Sequence, residues 1–401
     1  MLSEDAIEKL IEPILRRQEY INNYVIKIIA ERIKEVGTLL PSDVHSLQQL
    51  LQYGGDVKLI NQAIAELTNL NVIEIKHIIQ EIAYDAYMDV KPYYDYRHIP
   101  FVPYNKNTAL QFTVNAIAKA TQDTYKNLSN SQAIGFYTKS LRNPNIRTFK
   151  SIDRAYKDVI DEAVQMSQQG VIDYNSAMRN TLMQLNDSGL QTLYWESGYH
   201  QRLDTAVRRN LLDGIRAVNQ GVQDEVGKQF GADGKEITVH MNPAVDHAEV
   251  QGHQFSNDEF DKFQQDLDCV DVNGKRFMSG HRAIGELNCR HFTYSIILGV
   301  TKPNYTQEQL QAIIDKNNEG YTLPNGKHYT MYECTQKQRQ MEVNIRRAKD
   351  GYIMAREALN PDLQAYYKAR VSKLTKSYYA FSKACGLKPK TSKIFVQGYI
   401  K

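Results

Sequence analysis

Five side chains in two short segments have the chemistry to act together. His240, Asp246 and His247 lie in HMNPAVDH, and Cys289 and His291 lie in CRH about forty residues further on. Imidazole nitrogen and thiolate sulfur are the donors that a tetrahedral zinc ion takes. In extended backbone Cys289-Arg290-His291 would present its first and third side chains on one side. His240 at a strand end and His247 in a turn would complete a Cys-His₃ set, so the expected metal is zinc on His240, His247, Cys289 and His291. The spacing contains no paired CxxC, and two other readings stand beside this one. In the first, Asp246 and His247 hold a turn through bonds to the backbone, Cys289 is a small buried apolar residue, and Arg290 pairs with an acid. In the second, His247 is a general base with Asp246 or Glu249 as partner and His291 as a further acid. No GxSxG, P-loop, HExxH or GxGxxG stands in a usable context, so no catalytic residue is assigned and an enzyme is not expected.

A short β-rich stretch has to position these residues. Glu236 to Met241 is a β-branched run, the next fifty residues lose helical period, and Phe292, Tyr294, Ile296 and Leu298 alternate as a strand does. A small α+β domain is therefore expected over 236–302, in an otherwise mainly α chain. Apolar residues recur at helical spacing at Ile7, Leu10, Ile11, Ile14 and Leu15, at Val25, Ile29, Ile33 and Val36, and at Ile75, Ile78, Ile79, Ile82 and Ala86. Ser42 and Asp43 are expected caps for one helix and Asn71 for another. Residues 1–90 thus read as an N-terminal helical region. The segment VKPYYDYRHIPFVPYN carries three prolines and is expected to be a non-helical connection, 91–107, whose tyrosines could dock a partner or lie on their own domain. Residues 108–235 read as long helices, including one carrying Leu203, Ala206, Val207, Leu211, Ile215 and Val218. Arg202, Arg208 and Arg209 beside it read as a charged face. Residues 303–401 return to helices, with a C-terminal hairpin of about 331–359 and 362–384 that Gly386 terminates.

No run of about 18 apolar residues exists to cross a bilayer, and mean hydropathy is −0.52. Four scattered cysteines form no disulfide framework, and the acidic start MLSEDAIEKLIEP is no secretory leader, so a reducing cytoplasm is the expected compartment of synthesis. The net charge of +3 conceals a polarity. Residues 327–401 hold 16 Lys and Arg against 5 Asp and Glu, net +11, whereas residues 1–326 hold 33 against 41, net −8. Such a segment suits an acidic surface, either nucleic acid contacted through phosphates or a partner protein. Lys337, Arg339, Arg346, Arg347, Lys349 and Arg356 are the candidate contacts, opposite an apolar stripe of Met331, Met341, Ile345, Ala348 and Tyr352.

Three segments carry a resemblance: HMNPAVDHAEVQGHQF at 240–255, GELNCRHF at 285–292 and YTMYECTQKQRQMEVNIRRAKD at 329–350. LSEDAIEKLIEPILRRQEYINNYVIKIIAERI and WESGYHQRLDTAVRRNLLDGI fit the same pattern in the same order. Together they resemble the phage minor capsid proteins of Gram-positive siphophages, minor capsid protein 2, which are distantly similar to Mu-type head morphogenesis proteins. Asp246, Gln251, Gly252 and Arg290 belong to the motif as structural residues. His253 stands where the family commonly has a basic residue and is left out of the ligand set. The resemblance implies a virion protein in few copies near the portal vertex. Its implied partners are portal or major capsid proteins and packaged DNA without sequence preference. The alternatives are a DNA-binding protein ejected with the genome and a small hydrolase or effector domain on a capsid-binding scaffold.

Overall fold

The computed structural model describes residues 4–38, 51–139, 146–169, 174–193, 199–285, 289, 291–323 and 326–399. Ser42, Asp43, Trp195 and Arg290 lie outside them. The chain is mainly α with small antiparallel sheets, and divides into two interleaved units. The first comprises Met1–Ile11, Glu74–Asp123 and Arg209–Lys337, and the second Glu12–Ile73, Thr124–Arg208 and Gln338–Lys401.

In the first unit, Ile75, Ile78, Ile79 and Ile82 are buried along the helix Leu51–Asp89, and Leu211, Ile215, Val218 and Val222 along the helix Leu203–Gln229. Three- and four-residue spacing places each set on one helix face. The proline-rich segment is not wholly irregular, because Lys91–Arg97 forms two helical turns. Pro92 sits in the first turn, where its missing N–H costs nothing. Tyr94 is buried there, its ring edge-on to Phe101 and Phe230 and its hydroxyl bonded to Gln229 at 2.6 Å. Asn107 then caps the helix Thr108–Leu128 by accepting from the Leu110 N–H.

The small sheet of this unit has the strand Gly234–Ile237 in the middle, flanked antiparallel by Gln254–Ser256 and Thr293–Ile296. Its core is Ile237, Val250, Phe255, Phe260, Phe263, Cys269, Phe277 and Ile284. The middle strand begins two residues earlier and ends four earlier than its sequence suggested. The last strand is where the alternation put it, but burial does not follow the alternating set throughout. His291 and Thr293 are buried at its start and Tyr294 is exposed, whereas Ile296 is buried at its end.

The second unit packs Ile14, Ile21, Val25, Ile29 and Ile33 of the helix Glu4–Thr38 into its interior. A four-stranded sheet orders Arg147–Ser151, Ile134–Lys139, Gln191–Leu193 and His200–Arg202 side by side. These strands interrupt what the sequence suggested as continuous helices, because Ile134–Lys139 pairs with partners that local periodicity does not reveal. Asn71 also departs from expectation. It lies within a helix rather than at its start, fully buried, donating to Tyr125 Oη at 2.6 Å and accepting from Arg17 at 2.6 Å. The C-terminal helices are Met331–Glu357 and Pro361–Ala384, with Ile345, Tyr378 and Ile394 forming a shared core. Gly386 follows in the left-handed region.

Arg202 is not part of an exposed face. It is half-buried beside the half-buried Asp204, 3.2 Å from its Nε, and the buried Asp350, 3.7 Å away, while Arg346 reaches Asp204 at 3.1 Å. Glu19 lines the same small pocket.

Candidate metal centre

Antiparallel pairing explains why distant segments meet. Ile237 ends the middle strand opposite Thr293, and its backbone bonds Gly252 and His253 on the other side. The chain leaving the middle strand therefore emerges beside the chain entering both neighbours. His240 follows the first, Gln251 and Gly252 precede the second, and Cys289 and His291 precede the third. The single turn of helix Val245–Ala248 brings His247 to the same end.

Cys289 Sγ lies 3.3 Å from His247 Nδ1 and 3.5 Å from His291 Nδ1, and the three ligand atoms lie within 4.8 Å of one another. The His240 ring centre is 4.5 Å from that of His291, edge to face. His247 and His291 are buried, and Cys289 and His240 are half-buried.

Each buried imidazole is oriented through its other nitrogen. His247 Nε2 is 2.8 Å from the carbonyl of Arg282, and His291 Nε2 is 3.2 Å from Gln251 Oε1. A carbonyl oxygen only accepts, so both Nε2 atoms carry hydrogen, and in the neutral form of each ring Nδ1 keeps its lone pair toward the sulfur. Gln251 Oε1 also accepts from the His240 backbone N–H at 2.9 Å. Arg282 is in turn held by Asp246, with Nε and a terminal nitrogen at 2.5 and 2.9 Å from the two carboxylate oxygens.

Electrostatics follow from this packing. Burial drives the His291 pKa down to about 2, aided by His240 and His247, so its ring is neutral at any physiological pH. Burial would raise the Cys289 thiol, but the hydrogen bond and charge of His247 outweigh it and the net shift is downward. For His247 burial is again opposed, by Cys289, the Arg282 carbonyl and Asp246, and the net shift is upward. Asp246 is held down to about 2, chiefly by its Arg282 hydrogen bond.

The geometry weighs on the other readings of these residues. A hydrolytic dyad needs Asp246 or Glu249 to orient His247, yet Asp246 is engaged by Arg282 and its nearest oxygen is 3.9 Å from His247 Nε2. Glu249 is exposed. Gln251 and Gly252 form the tight floor beneath the cluster. Gly252 has φ +75°, and a Cβ there would stand 2.5 Å from Leu310 Cδ2. His253 turns away to Asp271 at 2.6 Å, which itself accepts from the amides of Asn273 and Lys275. Nothing in the sequence pointed to Arg282 as the residue linking Asp246 and His247, because its contribution to His247 is a backbone carbonyl.

The profile of the family phage minor capsid protein 2 matches residues 2–382. The chain belongs to that family. Neither a curated protein nor a solved structure matches it. Membership makes it a structural protein of the phage virion. The matched span of this minor capsid protein contains the whole His-Cys cluster and nearly all of both C-terminal helices. No described helix is long and apolar enough to cross a membrane.

The candidate contact cations are largely engaged within their own unit. Arg346 donates to Asp204 and, at 2.6 Å, to the Lys393 carbonyl, and Lys349 donates to the Ile394 carbonyl. Arg356 bonds Glu357 and the Gly398 carbonyl. Arg347 is half-buried, and burial pulls its guanidinium pKa down. Lys337 is exposed and Arg339 half-buried. The cations facing solvent on the last helix are instead Lys368, Lys373, Lys376 and Lys383.

Proposed function

We propose that this chain is a low-copy structural part of the phage head, seated at the portal vertex and held there by protein contacts. The observation that carries the reading is the family match across residues 2–382. Exposed rings support protein docking. Tyr93 and Tyr96 are 65% and 82% exposed on one short helix, and Phe112 is 78% exposed on the next long one. Aromatic side chains of this kind bury much area at small entropic cost when a partner covers them. The test is quantitative mass spectrometry of purified particles combined with chemical cross-linking. The expected result is a copy number far below that of the major capsid protein, with cross-links from residues 93–112 to the portal protein. A copy number at the level of the shell, or cross-links confined to shell subunits, overturns it.

A second contact, with packaged DNA, is favoured by one observation, the exposed row of Lys368, Lys373, Lys376 and Lys383. Phosphate contacts release counterions, so binding should weaken steeply with salt and show no sequence preference. Changing these four lysines to Gln in the full chain is expected to abolish DNA binding at low salt. Changing Arg346, Arg347 and Lys349 to Gln should leave DNA affinity nearly as it was, because those charges are engaged at home. The reverse pattern would place the DNA contact on the preceding helix.

A further inference from the structure

We propose that His247, Cys289 and His291 bind a zinc ion through Nδ1, Sγ and Nδ1, with His240 placed to complete the tetrahedron. The inference concerns chemistry inside the first unit and stands apart from where the protein sits in the virion.

Three independent features of the geometry point to it. The first is distance. Zinc bonds of about 2.3 Å to sulfur and 2.0–2.1 Å to nitrogen, at tetrahedral angles, separate sulfur from nitrogen by about 3.5 Å. The two sulfur-to-nitrogen distances here are 3.3 and 3.5 Å. The second is the direction of the lone pairs. Both imidazoles turn Nδ1 to the same thiol and give their Nε2 hydrogen to a fixed oxygen, the Arg282 carbonyl in one case and Gln251 Oε1 in the other. This is how proteins select the tautomer and ring orientation of a metal-bound histidine. The third is burial. Two rings that could have faced water are buried and the thiol between them is half-buried, and a small sheet with eight core residues gains most from a cross-link of this sort.

A thiol nucleophile activated by His247 is the rival use of the same atoms. It needs one imidazole at the sulfur and an acid behind that imidazole. Here a second imidazole approaches the same sulfur, and a carbonyl stands where the acid would be. Zinc uses every one of these groups, whereas the nucleophile leaves His291 and Gln251 without a part.

The experiment uses full-length protein purified without an affinity tag. Elemental analysis should find zinc at about one ion per chain, as a closed tetrahedral site requires. Replacing zinc by cobalt(II) should produce a thiolate-to-cobalt charge-transfer band in the near ultraviolet together with visible bands of tetrahedral intensity. Cys289→Ser should remove the charge-transfer band, while Cys269→Ser, Cys334→Ser and Cys385→Ser should keep it. Gln251→Leu, which leaves all donors in place, should weaken metal affinity by about 10- to 100-fold through loss of the His291 anchor. The wild-type cobalt spectrum needs no variant to fold. Its absence, together with zinc only at trace level, overturns the proposal. So does a Cys289 that iodoacetamide alkylates at neutral pH equally fast with and without added zinc, which would mark the thiol as a nucleophile.

Discussion

Among the described residues, one polar cluster in each unit invites comparison, because the two are built in opposite ways. In the second unit, Arg202 pairs with Asp204 and Asp350, and Arg346 with Asp204, so that opposite charges meet, with the Glu19 carboxyl lining the same small pocket. In the first unit, His247, Cys289 and His291 bring ligand atoms to one point, with the Nε2 hydrogens of both rings directed outward to fixed acceptors and the His240 ring beside them. Burying charge without a partner is expensive, and the charge network meets that cost internally. Convergent donors without an internal cation are what a metal ion completes. The comparison teaches that burial of polar groups does not by itself mark a binding site. The sign and direction of the groups do.

The largest expected effect is on the first unit. Stripping metal with a strong chelator should lower the melting temperature and expose residues 236–302 to protease, and added zinc should restore both. A protein indifferent to the chelator would make the two clusters alike, each complete without an ion. The charge network should be nearly as sensitive to loss of one member. Arg202→Ala leaves the buried Asp350 without its arginine and the half-buried Asp204 with Arg346 alone, and should cost about 3 kcal/mol in chemical denaturation. A change within error would show that the network is solvated rather than self-contained.

Gly252→Ala comes next. Its positive φ and the Leu310 methyl 2.5 Å from the new Cβ should cost about 1–3 kcal/mol. Because Gly252 follows Gln251, the same change should loosen zinc affinity, which unfolding and metal titrations together can resolve.

The smallest effect is one of pH, and in the charge network it comes from Glu19 and Asp350. Burial, with the nearby Asp350 charge, pushes the Glu19 carboxyl up to about 8, and burial pushes Asp350 up to about 6. Both hold protons in the folded state that the unfolded chain releases above about pH 4.5. The folded state thus binds more protons across pH 4.5 to 8, and stability falls as pH rises through that window. Asp204 moves the other way, held well below the usual carboxylate range against its burial by Arg202 and Arg346, but its window lies below pH 4. A melting temperature lower at pH 8.5 than at pH 6, with the difference reduced in Glu19→Gln, is the expected result. An unchanged difference would remove Glu19 from the network.

How far each region was legible follows from which interactions are local. Helical periodicity exposed the Ile75–Ile82 stripe and the C-terminal hairpin, because three- and four-residue spacing is fixed within one segment. The four proposed donors stood out by residue type, since few side chains ligate zinc. The strand at Ile134–Lys139, the place of Asn71 inside a helix, and the inward face at Thr293 were not, because each depends on a partner remote in sequence. The same holds for Arg346 and Lys349. Their charge was plain, but only folding brought Asp204 and the carbonyls of Lys393 and Ile394 within reach of them.

What the sequence determined by itself is composition and local order: a mainly helical chain with a basic C-terminal segment, a small β-rich region, and donors of the right chemistry in family-typical motifs. Only the tertiary structure decided which of those groups meet. Antiparallel pairing at Ile237 and Thr293 gathers His240, His247, Cys289 and His291 at one end of a sheet, and two oxygens choose the tautomers. One of those oxygens is the backbone carbonyl of Arg282, a group that every residue carries. Its role is set by position, which residue identity does not encode.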